Sequence, residues 1–419
     1  MRPHPRIGKR PTGRRAALKR RVISPLLGGS TLLLLAALQI TLFTACRDGS
    51  GLQGDEARAQ ARYLAGLERL HEGEFGEAAL ELNASVEIDP SRSEAHHRLG
   101  EAYLGLMRYR DAEASFRQAL MLEKDKYLSQ MGLGHALRLQ GRSEEALEAY
   151  GAAARMEPEH PGPHVAMGEL LGDMGLEADS AEAFARAAEL TSPEEAARPL
   201  ALSAAALMAA RDFEAAALTF EEVVKLLPEG VEGWLGLAEA RVHLGELEKA
   251  VKAYETASRL DPDDTITMQL LAAAHEALGA GDEAVATHQR ALRVAPESSR
   301  LWVGFSRLHL DAGRRDDARE AARKALEHLG GDDVGLIRDV ADLLGDLGDA
   351  EQSAELYRLL LLEEDDPALW IALARQLHAL GRANEVEGIC ERLAASAERN
   401  GAVGSDLAWC EKRVASSEP

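Results

Sequence analysis

Aromatic side chains are scarce in this 419-residue chain, at 4% of all residues. Packing is therefore left to Ala and Leu, a composition that suits closely packed helices. Cysteine is scarcer still, with Cys46, Cys390 and Cys410 only. There is no Cys-x2-Cys pair and no Cys-x2-Cys-His, so neither a thiolate metal site nor attached haem is expected. The sequence also lacks a phosphate-binding Gly loop, a nucleophile elbow and a His-Glu-x2-His motif. No catalytic residues, no metal site and no cofactor are expected. Acidic residues are absent from residues 1–45, which carry nine Lys or Arg. Beyond that segment the balance reverses. The whole chain has 48 basic and 70 acidic residues, net −22; without the nine it has 39 against 70, net −31. A domain that acidic should not bind nucleic acid non-specifically and should repel anionic lipid.

What the sequence does have is a period. In Val231–Asp264, Trp234, Leu237, Ala238 and Arg241 fall at offsets 4, 7, 8 and 11. Gly245 breaks the pattern; Ala250, Tyr254 and Ala257 follow at offsets 20, 24 and 27, and Pro262 closes the unit. Offsets 4, 8 and 11 share one helical face, as do 20, 24 and 27. The unit reads as two amphipathic helices joined by a tight turn. It resembles the tetratricopeptide repeat, whose period is about 34 residues. Ten such units start at Ala59, Ser93, Tyr127, Pro161, Ala197, Val231, Thr265, Ser299, Val334 and Pro367. A short insertion around Pro193 precedes the fifth. The resemblance implies an all-α, right-handed superhelical solenoid of about ten helix pairs over residues 59–400. A capping helix is expected within 401–419.

The basic start is followed by an uncharged stretch, Val22–Ala45, which reads as a secretory signal or membrane anchor. Phe43-Thr44-Ala45-Cys46 resembles a bacterial lipobox, although Leu is commoner than Phe at its first position. That resemblance implies cleavage after Ala45, a lipid on Cys46 and a polar tether over residues 46–58. The alternative is an uncleaved transmembrane helix. Either way the Lys/Arg excess leaves the repeats outside the cytoplasm. Gly13–Lys19 is similar to a twin-arginine export motif without its usual Ser and Phe, and an ordinary basic segment explains it better. The expected location is the periplasmic side of a bacterial cell envelope.

In the resembled family the first helix of each repeat lines a concave groove, with offsets 5, 9 and 12 facing it. Repeats 2 to 4 then present His97, Glu101, His135 and Glu169. Repeats 8 to 10 present Arg307, Arg338 and Arg375, with Arg300 beside them. Arg holds carboxylates bidentately, so these arginines are the expected partner-binding stripe, set against the alternative of a merely solvated face. Three further histidines, His275, His288 and His309, occupy inward-facing offsets, where imidazoles hydrogen-bonded locally are expected rather than metal ligands. Cys390 and Cys410 lie ten residues either side of Asn400. A turn there would bring them together as a disulfide; two separate buried thiols are the alternative. The expected function is a membrane-tethered scaffold that holds a peptide or helix of a protein partner, in assembly of an envelope, pilus or secretion complex. The rival is an envelope receptor for a small ligand or polysaccharide, which would call for aromatic platforms. Tyr63 is the one aromatic residue at groove offsets 5 and 9.

Overall fold

The computed structural model describes residues 51–123, 126–331, 333–400 and 409–410. The described residues are helical throughout, with twenty helices and no strand among them. They form two compact units divided between Ala136 and Leu137. The first unit holds α1 (Gly51–Glu72), α2 (Phe75–Ile88), α3 (Ser93–Gly105), α4 (Tyr109–Leu122) and most of α5 (Tyr127–Leu139). The second holds α6 (Ser143–Met156), α7 (Gly162–Asp173), α8 (Glu177–Glu189), α9 (Ala197–Ala209), α10 (Phe213–Leu226), α11 (Val231–His243), α12 (Leu247–Leu260), α13 (Thr265–Ala277), α14 (Gly281–Val294) and α15 (Ser299–Asp311). It continues with α16 (Arg315–Glu327), α17 (Val334–Leu347), α18 (Ala350–Glu363), α19 (Pro367–Ala379) and α20 (Ala383–Asn400). Within each unit every helix packs on its chain neighbours, which is the all-α solenoid arrangement the period implies.

The repeated residues are where helix meets helix. Offset 20 holds Ala78, Ala112, Ala146, Ala216, Ala250, Ala284 and Ala318, all fully buried. A larger side chain there would push the second helix off the first. Offset 4 anchors the start of each pair to the turn before it. Trp234 Nε1 donates to the Pro228 carbonyl at 2.8 Å, and Trp302 Nε1 to that of Pro296 at 2.8 Å. The His96 ring is 3.1 Å from the Pro90 carbonyl in the same way. The first helices often start on a side-chain cap. Asp264, Ser298, Asp333 and Asp366 each accept from an amide of the first turn.

The turn inside each pair needs one residue in the left-handed conformation. Eight of the ten turns use glycine there, but Met107 (φ 59°) and Arg211 (φ 63°) fill the other two. A side chain costs about 1 kcal/mol or more in that region. Met107→Gly and Arg211→Gly should therefore each raise stability by about 1 kcal/mol in urea unfolding. Gly245→Ala, at φ 73°, should lower it by a similar amount. A loss of stability in both glycine variants would contradict this account.

Three segments differ from the sequence reading or lie beyond it. The first helix starts at Gly51, inside the expected tether 46–58. Residues 52–58 contain no proline and are rich in helix formers, so α1 runs on past the repeat boundary at Ala59. Residues 1–50, with the leader and Cys46, lie outside the described residues, as does most of the expected capping segment 401–419. Trp409 and Cys410 are described and helical. The insertion near Pro193 is a seven-residue connection, residues 190–196, between α8 and α9. Four residues, 227–230, suffice between α10 and α11.

Candidate functional site

In the second unit the offset-9 residues of the first helices form an exposed row. Glu169, Ala205, Glu239, Ala273, Arg307, Asp342 and Arg375 are all exposed there, and His135 is exposed in the first unit. In repeats 1 and 2, Leu67 and Glu101 are half-buried. Offset 5 behaves differently. Tyr63, Met131, Val165, Ala201, Leu235, Gln269 and Arg338 are half-buried, while His97, Val303 and Ile371 are buried. The face open to a partner is therefore carried by offset 9 and its neighbours, with offset 5 forming its floor.

His97 is corrected on that ground. It is 5% exposed, its Nδ1 lies 3.1 Å from Ser129 Oγ, and its ring packs 5.6 Å from that of Phe116. It stacks helix pairs and is not presented outward. Its Nε2 is 3.4 Å from Glu101, which also accepts from Arg98 at 2.9 Å. Burial pushes the Glu101 carboxyl up, but the His97 and Arg98 hydrogen bonds outweigh it and hold the group below its usual value. Glu169 accepts from Arg138 at 2.8 Å, and Asp173 from the same guanidinium at 2.6 Å.

Three arginines of the stripe are paired within the chain. Arg300 pairs with Asp333 at 2.7 Å, Arg307 with Asp339 at 2.9 Å, and Arg338 with Asp366 at 3.3 Å. Each bond joins one repeat to an acidic residue of the next. The stripe is therefore a series of neutralised rungs, each worth about 0–1 kcal/mol at this exposure. Arg375 is exposed and has no ion pair among the described residues. On the same face Asp342 accepts from the Tyr357 hydroxyl, and burial together with that carboxylate pushes the phenol far up.

His275, His288 and His309 are buried, at 7%, 5% and 7% exposure. The Nδ1 atom of each has no hydrogen-bond partner, while His288 Nε2 lies 3.7 Å from Glu276 and His309 Nδ1 lies 3.8 Å from Asp317. Ring contacts hold two of them: His309 meets Phe305 edge-on at 4.4 Å, and His288 is tilted against Phe305 at 6.0 Å. No group of three or more His, Cys, Asp or Glu suited to a metal ion occurs among the described residues. Cys390 and Cys410 are bonded through sulfur, with Cα atoms 5.4 Å apart. Trp409 stands edge-on to His378 at 6.0 Å and packs with Cys410 on the apolar surface of α19 and α20.

One feature of this face escaped the sequence reading. A cavity of about 430 Å³ opens between the first turns of α9 and α11. Ala197, Ala201, Val223, Leu227 and Gly233 line it with apolar surface. Its sequence signal was the insertion around Pro193, in the long connection before α9.

Residues 97–162 and 201–265 match a family model described as tetratricopeptide repeat, and residues 267–300 match a second model of the same description. No curated protein matches by sequence. Among solved structures, the chain is similar to the C-terminal part of a TPR repeat-containing protein from Cytophaga hutchinsonii. The TM-score is 0.51 at 16% identity, covering 58% of this chain and 98% of that one. It is also similar to a tetratricopeptide repeat protein from Parabacteroides merdae, with TM-score 0.39, 17% identity, and 61% and 98% of the two chains covered. Yeast Tom70 gives TM-score 0.37 at 15% identity, with 85% and 96% covered. The first of these likenesses speaks to the fold.

Proposed function

The chain is a tetratricopeptide-repeat protein, and on that premise we propose that it is a membrane-tethered scaffold of a bacterial cell envelope. The face of its first helices holds a segment of another protein, in assembly of an envelope, pilus or secretion complex. One observation carries the binding half of this reading: the exposed row at offset 9 in the second unit, from Glu169 to Arg375. Each repeat offers one side chain at the same height, so a peptide or helix laid across the row meets a new contact at every step. The tether half rests on the basic and apolar leader and on Phe43-Thr44-Ala45-Cys46, with Cys46 as the lipid anchor. The bond between Cys390 and Cys410 suits a compartment that permits oxidation. No described helix is long and apolar enough to cross a membrane.

One experiment reads both halves. A photo-crosslinking amino acid is placed at Glu239, on the row, or at Glu255, on the exposed side of α12. The full chain is irradiated in the envelope of a bacterial host, and products are resolved by mass spectrometry. A discrete protein adduct from position 239, absent from position 255, is expected on a chain that starts at a lipid-bearing Cys46. Equal adducts from both positions would remove the face as the binding surface. An intact segment 1–45 would remove the lipid anchor.

A further inference from the structure

We infer that the cavity between α9 and α11 seats one large apolar side chain of the partner segment, with a Lys or Arg beside it held by Glu194, Glu195 and Glu232. This rests on the scaffold reading and names the chemistry of the partner.

The cavity is a product of the long connection before α9. Its last residues are tied into a turn in which the amides of Glu195 and Ala196 both donate to the Ser192 carbonyl at 2.9 Å. The Ser192 hydroxyl is 3.2 Å from the Glu195 carboxylate. That turn sets Glu194 and Glu195 on one side of the opening, and the first turn of α11 sets Glu232 on the other. All three are exposed. At about 430 Å³ the space is in the range of small-ligand pockets and takes an aromatic or branched aliphatic side chain with room for neighbouring backbone.

The sign of the charge at the rim follows from a comparison. Arg198 lines the same opening. The amino ends of α9 and α11 add about half a positive charge each. Three carboxylates outweigh these together, and Glu229 lies in the turn between the lining residues Leu227 and Gly230. Further along the face Arg300, Arg307 and Arg338 are already paired with Asp333, Asp339 and Asp366, and only Arg375 in the last repeat is left without an ion pair among the described residues. What remains unneutralised near the cavity is acidic.

The surface beyond the cavity extends the match. Val242 on α11 and Ile266 and Leu270 on α13 are 38%, 68% and 42% exposed. Apolar side chains left open on successive first helices offer further apolar contacts to a segment anchored in the cavity. A partner of alternating apolar and basic residues fits this face better than an acidic tail.

The test is a display library of random nine-residue peptides sorted on the full chain, and sorted again on two variants. Ala201→Phe fills the cavity from its wall. Glu194→Lys, Glu195→Lys and Glu232→Lys together reverse its rim without touching buried residues. Peptides pairing a large apolar residue with an adjacent Lys or Arg should be enriched on the wild-type chain. A synthetic peptide from that set should bind each variant at least tenfold more weakly by fluorescence anisotropy. The triple variant keeps the test valid should Ala201→Phe fold poorly. Enrichment of acidic peptides, or binding that ignores both variants, would overturn this inference and leave the scaffold reading standing. No enrichment of any peptide would overturn both.

Discussion

Replacing Phe116 by Ala should lower the stability of the N-terminal unit by about 3–5 kcal/mol, the range for deleting a fully buried aromatic ring. The Phe116 side chain has no exposed surface. Its position explains why so much should be lost. The ring sits between α3 and α5, where two glycines make room for it. A Cβ on Gly100 would stand 2.7 Å from the ring, and one on Gly132 would stand 2.5 Å from it. Both helices therefore lean on one side chain, and neither can collapse into the space it leaves. The pairing can be read by a double substitution. Gly132→Ala alone should cost about 1–3 kcal/mol by overpacking. Combined with Phe116→Ala it should cost distinctly less than the sum, because the new methyl group enters the void. Strict additivity in urea unfolding would mean that the ring and the glycine are not complementary.

The second large effect is expected on acidification. His288 is 5% exposed, and burial, with the nearby His309 adding to it, pushes its imidazole down from 6.5 to about 4. The folded chain thus resists a proton that the unfolded chain accepts. Stability from this group is complete above pH 6.5 and is lost as the pH falls toward 4. At about 1.4 kcal/mol per pH unit, the gap corresponds to about 3 kcal/mol. His309 is also held low, by burial first and then by Arg314, so it acts in the same sense. Glu276, 3.7 Å from His288, is pushed up by burial and by Asp311; its protonation opposes part of the effect. Phe or Tyr occupies the position of His288 in several other repeats, as at Phe220 and Tyr254. His288→Phe should therefore fit the site and flatten the decline in urea midpoint between pH 6.5 and 4. Identical pH slopes in the two proteins would exclude His288 as the source.

These sites also show what a sequence of this kind does and does not disclose. The period revealed the helix pairs, the buried alanines at offset 20 and the outward offset-9 row, because each follows from a residue's place within one repeat. The pairing of Arg300 with Asp333 did not emerge, since it joins offset 2 of one repeat to the cap of the next. A reading along single helices counts the guanidinium and misses its neighbour. His97 was misplaced for a related reason. Offset 5 lies between the groove and the adjoining first helix, and Ser129 in that helix gives the imidazole a buried partner. Met107 and Arg211 were silent because a left-handed turn can be forced by its surroundings without glycine. The cavity was visible only as two extra residues in one unit. Their effect depends on which neighbours they pass.

The rungs, caps and ring contacts share a property that bears on how the chain is made. Among the described hydrogen bonds none joins residues more than 35 apart, the widest being Arg138 to Asp173. The entropy of closing a loop grows only as about (3/2)RT ln n, and here n stays near one repeat wherever along the chain it is counted. None of the described hydrogen bonds waits for a partner hundreds of residues later, as those of a strand in a large sheet must. A chain delivered amino end first, from a ribosome or through a membrane pore, can therefore settle each helix pair while the next is still arriving.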